Sequence, residues 1–164
     1  MRLILSLFIL LGSITSCQGQ SSSSGGETSN TATSIAKDFD RSGLDSAYFA
    51  SGCFWCVESI YEHVKGVPEA ISGFAGGQKP DPSYREVASG QTNHAETVKV
   101  YYDPEQISFD ELVEVYYGSQ DPTTKGQDPD FGPQYRSIIF YQNEKERKIA
   151  KALKADVAEN YEEE

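Results

Sequence analysis

The stretch AYFASGCFWC, residues 47–56, contains the strand-to-helix turn on which the predicted fold depends. Its first four residues predict a short strand. A helix is predicted over residues 53–65, because apolar residues recur there at helical spacing and Gly66 supplies the stop. Cys53 is therefore placed where a strand turns into a helix.

The segments that follow continue this alternation. Strands are predicted over residues 70–74, 96–102 and 135–141, and two long loops rich in turn residues over 78–93 and 121–133. A capping box of Ser108 and Glu111 opens a second long helix, and a charged helix begins near Glu144. The order β-α-β-β-α-β plus a helix predicts an α+β fold, the ferredoxin-like split βαβ two-layer sandwich.

The first residues have the pattern of a secretory signal. Arg2 precedes an apolar run that is too short to span a bilayer, and small residues then lead to Cys17. The end of this segment, residues 14–17, resembles a bacterial lipoprotein cleavage box, in which the cysteine receives a lipid. The alternative is an ordinary signal peptide that is cut nearby. We predict a lipoprotein signal peptide over residues 1–16.

The next segment, residues 17–45, is rich in Ser, Gly, Thr and Asn and predicts a flexible tether before a folded domain at 46–164. A lipid on Cys17 makes the membrane a partner and predicts an extracytoplasmic, periplasm-facing place in a bacterial cell envelope. The net charge of −11 argues against nucleic-acid binding, which relies on Lys and Arg at phosphates.

Three cysteines are present, and Cys53 and Cys56 form a C-x-x-C pair. At a helix start, unpaired amides and the helix dipole favour a thiolate, which makes Cys53 a candidate nucleophile. Cys56 lies on the same helix face, near enough for a disulfide. This pattern favours a redox function for the two cysteines over an inert structural disulfide. Zinc would need more ligands than the chain places nearby.

Glu96 shares its strand parity with Val98, Val100 and Tyr102, the predicted buried face. Burial would raise the pKa of its carboxyl and make it a proton donor near neutral pH. The alternative is a strand-end glutamate in solvent. His94 is as consistent with a loop hydrogen bond as with catalysis, and His63 is predicted to be exposed.

Further Phe, Trp, Tyr and Asp side chains could contact a small substrate that has an apolar part and a polar part. The rings of Phe54 and Trp55 offer a surface for a methyl group, or they pack in the core. Tyr84 and Tyr135 lie in or beside polar loops and carry phenols that donate hydrogen bonds, although ordinary packing is the commoner role. Asp130, in the second long loop, would by default be a solvated turn residue.

Several short motifs follow one another in a recognisable order. They are Gly52-Cys53-Phe54-Trp55, Gly73-Phe74-Ala75-Gly76-Gly77, Tyr84-Arg85-Glu86-Val87, Gly90 with Thr92, His94-Ala95-Glu96, Tyr102-Asp103-Pro104, Asp121-Pro122-Thr123 and Gln134-Tyr135-Arg136-Ser137. In this order they resemble the peptide-methionine (S)-S-oxide reductases, the A-type methionine sulfoxide reductases. The resemblance spans residues 47–142.

The resemblance implies reduction of the S epimer of methionine sulfoxide, free or in proteins, with no metal or organic cofactor. Cys53 would attack the sulfoxide sulfur and become a sulfenic acid as methionine leaves. A second cysteine would then form a disulfide that a thioredoxin-like reductant opens. The other implied roles are protonation of the departing oxygen by Glu96, hydrogen bonds to it from Tyr84 and Tyr135, contact of Phe54 and Trp55 with the methyl group, and substrate binding by Asp130.

The chain also departs from the family pattern, whose members normally continue past the final helix, whereas this sequence stops at Glu164. We therefore expect the usual C-terminal segment, and any resolving cysteine in it, to be missing. With Cys17 before a tether and acylated, Cys56 is the thiol expected to resolve Cys53. We expect a monomer.

Two other functions stay open. One is a thioredoxin-type thiol–disulfide oxidoreductase. Two features disfavour it: the two consecutive strands after the first β-α unit, and the position of Glu96 on the predicted buried face of its strand. The other is a truncated, inactive lipoprotein that keeps only a binding surface.

Overall fold

The structure, a computed structural model, describes residues 40–162, with side chains through Glu159. The predicted signal peptide, Cys17 and most of the predicted tether lie outside the described residues. Between residues 40 and 162, no helix is long and apolar enough to cross a membrane.

Strands and helices share the described part of the chain. The strands are β1 Asp45–Ala50, β2 Glu69–Ala75, β3 Ala95–Tyr102, β4 Gly126–Gln127, β5 Asp130–Phe131 and β6 Ile138–Phe140. The helices are α1 Phe54–Glu62, α2 Tyr84–Ala88, α3 Phe109–Gly118 and α4 Glu144–Glu162. A short 3₁₀ turn at Pro133–Tyr135 precedes β6.

One four-stranded sheet organises the molecule. Its strand order is β2-β3-β1-β6, and every neighbouring pair is antiparallel. Strands β4 and β5 form a separate small hairpin. Helices are mixed with an antiparallel sheet, so the predicted α+β class is confirmed.

The core lies between one face of the sheet and the helices α1 and α3. Phe49 of β1 is fully buried, and its ring stacks on Tyr61 of α1 at a centroid distance of 5.0 Å. The Tyr61 hydroxyl donates to the Leu112 carbonyl of α3 at 3.0 Å. Removing side chains of this size from water stabilises the fold by about 1.5–3 kcal/mol each. This packing holds both helices against the strands that carry the site.

Several predicted boundaries are wrong in ways that have local causes. The loop predicted at 78–93 contains α2, which starts at a capping box where the Ser83 N–H donates to Glu86 at 2.9 Å. The loop predicted at 121–133 contains the β4–β5 hairpin. The strand predicted at 135–141 is shorter, Ile138–Phe140, because Tyr135 belongs to the 3₁₀ turn, where its N–H donates to the Gly132 carbonyl at 3.0 Å.

Candidate active site

Cys53 sits in the turn between β1 and α1. Gly52 before it has φ of +72°, a backbone conformation that favours glycine. The Gly52 N–H donates to the Tyr135 carbonyl at 3.0 Å, and a Cβ at Gly52 would meet the Gln127 side chain at 3.0 Å. Cys53 is the N-cap of α1 and is half-buried, so the helix begins one residue later than predicted. The turn presents the thiol at the entrance of the helix.

Cys56 lies one helical turn further along and is exposed. Both cysteines are free thiols, and the Cys56 N–H donates to the Cys53 carbonyl at 3.1 Å. Partial burial raises the pKa of the Cys56 thiol, and the neighbouring Cys53 side chain and the charge of Asp130 raise it further. Cys56 is therefore held in its protonated form close to Cys53.

Glu96 is buried, with only 2% of its surface exposed, so the prediction from strand parity is confirmed. It lies at the end of β3 that faces the start of α1, where the Phe54 N–H donates to its Oε2 at 3.1 Å. Burial raises the pKa of the Glu96 carboxyl, the Phe54 hydrogen bond partly offsets this, and the charge of Asp130 adds to the rise. The shift is toward the protonated form, which is the direction that a proton donor requires.

Aromatic rings form one wall of the site. Phe54 is 5% exposed and packs against Phe74 at a centroid distance of 5.6 Å. Trp55 is 61% exposed, and its ring stacks on Tyr84 at 5.8 Å. The two rings after Cys53 therefore differ: Phe54 belongs to the core as well as to the wall, and Trp55 faces solvent.

Tyr135 and Asp130 complete the cluster from the second loop region. Partial burial raises the pKa of the Tyr135 phenol, and the charges of Glu96, Asp130 and Tyr84 raise it further. Asp130 in β5 also acts electrostatically on Cys56 and Glu96. The structure therefore brings together all the described residues that the sequence predicted for the site, and Asp130 is not merely a solvated turn residue.

The segment 134–136 ties these parts together, and sequence reasoning assigned no role to two of its residues. Gln134 is buried and its Nε2 donates to the Ala88 carbonyl at the end of α2, at 3.1 Å. The Arg136 guanidinium donates to the carbonyls of Asn93 at 2.9 Å and His94 at 3.4 Å, and also to Pro133. Their place inside a motif shared with the family was the only available signal.

The two histidines have structural contacts. His94 is buried, its Nδ1 lies 3.3 Å from the Gly77 N–H and its Nε2 lies 2.9 Å from the Lys79 carbonyl. Because Nδ1 accepts, the ring proton is on Nε2, which donates. A Cβ at Gly77 would lie 2.4 Å from the ring. His94 thus binds the loop after β2 through Gly77 and Lys79. His63 is exposed, as predicted, and its Nδ1 contacts the Ser59 carbonyl.

Among residues 40–162, no group of three or more His, Cys, Asp or Glu side chains is placed to hold a metal ion. The cluster offers two thiols, a buried carboxyl, two phenols and aromatic surface.

The family model described as peptide methionine sulfoxide reductase matches residues 45–164. The chain belongs to this family. The resemblance seen in the motifs is thereby confirmed, and the match begins at the first residue of β1 and takes in the whole cluster around Cys53.

Relatives and solved structures agree with this membership. A peptide methionine sulfoxide reductase of Rhodopirellula baltica is 44% identical over 122 residues, which are 74% of this chain and 64% of that protein. One from Natronomonas pharaonis is 47% identical over 108 residues, or 65% and 61% of the two chains. The structure of methionine sulfoxide reductase A of Corynebacterium diphtheriae is 37% identical, with a TM-score of 0.65, over 74% of this chain and 62% of that one. The chain therefore spans less than two thirds of these relatives' length.

Proposed function

We propose that this protein reduces the S epimer of methionine sulfoxide, free or in proteins, to methionine, and so repairs oxidised proteins. One observation carries the proposal: a buried carboxyl, Glu96, is held by the first amide of the helix that starts at the cysteine Cys53. A nucleophilic thiol beside a buried carboxyl whose pKa is raised by that burial suits a reaction in which the sulfoxide sulfur is attacked and its oxygen is protonated.

In the first step the Cys53 thiolate attacks the sulfoxide sulfur. Glu96 gives its proton to the sulfoxide oxygen, to which Tyr84 and Tyr135 donate hydrogen bonds. The new bond between Cys53 and the substrate sulfur and the substrate S–O bond then both break as the protonated oxygen transfers to Cys53, so that methionine leaves as a thioether and Cys53 becomes a sulfenic acid. Cys53 is oxidised by two electrons and the substrate sulfur is reduced by two.

The substrate methyl group suits the aromatic wall. Phe54 provides a buried ring, and Trp55 and Tyr84 provide a stacked, exposed pair beside it. Asp130 supports substrate binding through its charge. We assign the methyl group to the rings because a methyl gains from contact with apolar surface, whereas the oxygen needs donors.

Regeneration uses Cys56 and an external dithiol. The Cys56 thiol attacks the Cys53 sulfenic acid, so that a disulfide forms and water leaves. A thioredoxin-like reductant then opens the disulfide and is itself oxidised. The raised pKa of the Cys56 thiol supports this division of roles between the two cysteines, because it keeps Cys56 from competing with Cys53 as the first nucleophile.

An assay of both sulfoxide epimers, with insulin disulfides as a third substrate, tests the proposal. We expect reduction of the S epimer and little of the R epimer or of insulin. Reduction of insulin without either epimer would identify a thioredoxin-type oxidoreductase instead, and no turnover at all would favour an inactive protein.

The remaining organisation is also part of the proposal. Residues 1–16 are a lipoprotein signal peptide, 17–45 a tether and 46–164 the enzyme domain, a monomer held by a lipid on Cys17 at an extracytoplasmic membrane face. The motif at residues 14–17 supports the anchor. For the fold we propose the ferredoxin-like split βαβ sandwich, which the strand order β2-β3-β1-β6 and the packing of α1 and α3 in one core support.

A further inference from the structure

Arg136 connects the segment just before β3, which leads to Glu96, with the 3₁₀ turn that carries Tyr135. Its Nη2 donates to the Asn93 carbonyl at 2.9 Å and its Nη1 to the His94 carbonyl at 3.4 Å, both just before β3. The same guanidinium donates to the Pro133 carbonyl in the 3₁₀ turn. Guanidinium hydrogen bonds to carbonyls are charge-assisted and directional, because the donors form a planar fork.

The two segments that Arg136 holds are those that carry the donors. Glu96 lies two residues after His94, and Tyr135 is the neighbour of Arg136 itself. Asn93, just before the strand, has φ of +58°, the left-handed conformation, which Asn adopts more readily than most other residues with a side chain. Its carbonyl is one of the two that Arg136 binds at this point. The phenol of Tyr135 also lies close enough to Glu96 for the carboxyl charge to raise the pKa of that phenol.

We infer that Arg136 is a positioning residue that sets the geometry of Glu96 relative to Tyr135. This inference rests on the proposed function, in which both groups act on one sulfoxide oxygen. Arg136 acts through its hydrogen bonds to the carbonyls of residues 93, 94 and 133.

A positioning role predicts that two properties of the site separate in Arg136→Gln. Single-turnover methionine release should fall about 10–100-fold, because displacement of a catalytic group by about an ångström is enough for such a loss. The rate of Cys53 alkylation by iodoacetamide, measured in Cys56→Ser backgrounds, should stay within about twofold, because alkylation of a thiolate needs no proton donor and so does not depend on where Glu96 and Tyr135 point. Arg136→Lys should recover part of the rate. Arg147→Gln, which loses one exposed ion pair on α4, is the matched control.

A double-mutant cycle with Glu96→Gln shows whether Arg136 acts through the carboxyl. In the Glu96→Gln background, Arg136→Gln should cost less than threefold, since the donor that it positions is already gone. Equal losses in both backgrounds would overturn the inference, as would a parallel loss of alkylation and reduction in Arg136→Gln.

Amide hydrogen exchange of the full chain gives a readout that needs no activity. Arg136→Gln should speed exchange at residues 93–96 and at Tyr135 while α1 and α3 keep their protection, and unchanged exchange would overturn the inference. An active wild type with a fully active Arg136→Gln would also overturn it. A wild type that reduces neither epimer would instead contradict the proposed function.

Discussion

The backbone N–H of Phe54 donates to Oε2 of Glu96 at 3.1 Å, although the two residues lie 42 positions apart in the chain. Through this bond the amide at the start of α1 is satisfied by a buried carboxyl of β3. Glu96→Gln keeps an oxygen that accepts the same bond, so we expect the fold to survive. Loss of the proton donor should slow single-turnover methionine release by ~10²–10⁴-fold. Rates near those of wild type would remove Glu96 from proton donation.

The raised pKa of Glu96 also predicts how stability depends on pH. A carboxyl whose folded pKa lies above its unfolded value binds its proton more tightly in the folded state. Its contribution is therefore fully present below the unfolded pKa, about 4.5, and is lost as pH rises through the folded pKa. The free energy of unfolding of wild type, relative to Glu96→Gln, should fall over that range. Denaturant unfolding of both proteins at several pH values measures it, and a difference that rises with pH would contradict the account.

Glu96 was predictable because strand parity is a local property: side chains alternate, and Val98, Val100 and Tyr102 mark the buried side. Cys53 was predictable for a similar reason, since a strand, a glycine and a helical pattern follow one another around it. The capping box of Ser83 and Glu86 is equally local, but α2 buries only Val87, so no apolar repeat accompanied it.

The convergence of the site could not be predicted from patterns. It depends on hydrogen bonds between distant segments, such as that from Gln134 to Ala88, 46 positions apart, and that from Arg136 to Asn93, 43 positions apart. Neither the hydrophobic periodicity nor the composition of a loop indicates which other loop it contacts. Only the resemblance to the family predicted a shared role for Tyr84, Asp130 and Tyr135.

Serine variants of the two cysteines should lose methionine release at different stages of the reaction. Cys53→Ser should abolish even the first turnover, because the nucleophile is gone. Cys56→Ser should release about one methionine per chain and then stall with thioredoxin as the reductant, because no disulfide forms for it to open. Methionine release with and without thioredoxin distinguishes these cases. Steady thioredoxin-driven cycling by Cys56→Ser would exclude Cys56 from regeneration.

The hairpin that carries Asp130 should depend on Gly126. Gly126 has φ of +118°, and a Cβ there would lie 2.1 Å from the Asp130 carbonyl oxygen. Gly126→Ala should lower the free energy of unfolding by about 1–3 kcal/mol and raise KM, because Asp130 moves. Gly118→Ala, at the end of α3 with open space around it, is the matched control and should neither lower the free energy of unfolding nor raise KM. Equal behaviour of the two variants in unfolding and kinetics would contradict the role of the hairpin.

Cys17 should decide where the protein resides. If residues 14–17 form a lipoprotein box, wild type should partition into membranes when it is expressed in a bacterium that processes lipoproteins. Cys17→Ala should leave the membrane fraction, since one cysteine carries the anchor. Fractionation followed by immunoblotting measures this, and a wild type that stays in the soluble envelope fraction would rule out the anchor.

The central claim is that Cys53 reduces the S epimer of methionine sulfoxide. Its most direct test is single-turnover methionine release from each pure epimer by the reduced protein, without added reductant, for wild type and Cys53→Ser. The account predicts about one methionine per wild-type chain from the S epimer, little from the R epimer, and none from Cys53→Ser. Release by Cys53→Ser at the wild-type level, or wild-type release from the R epimer alone, would contradict it.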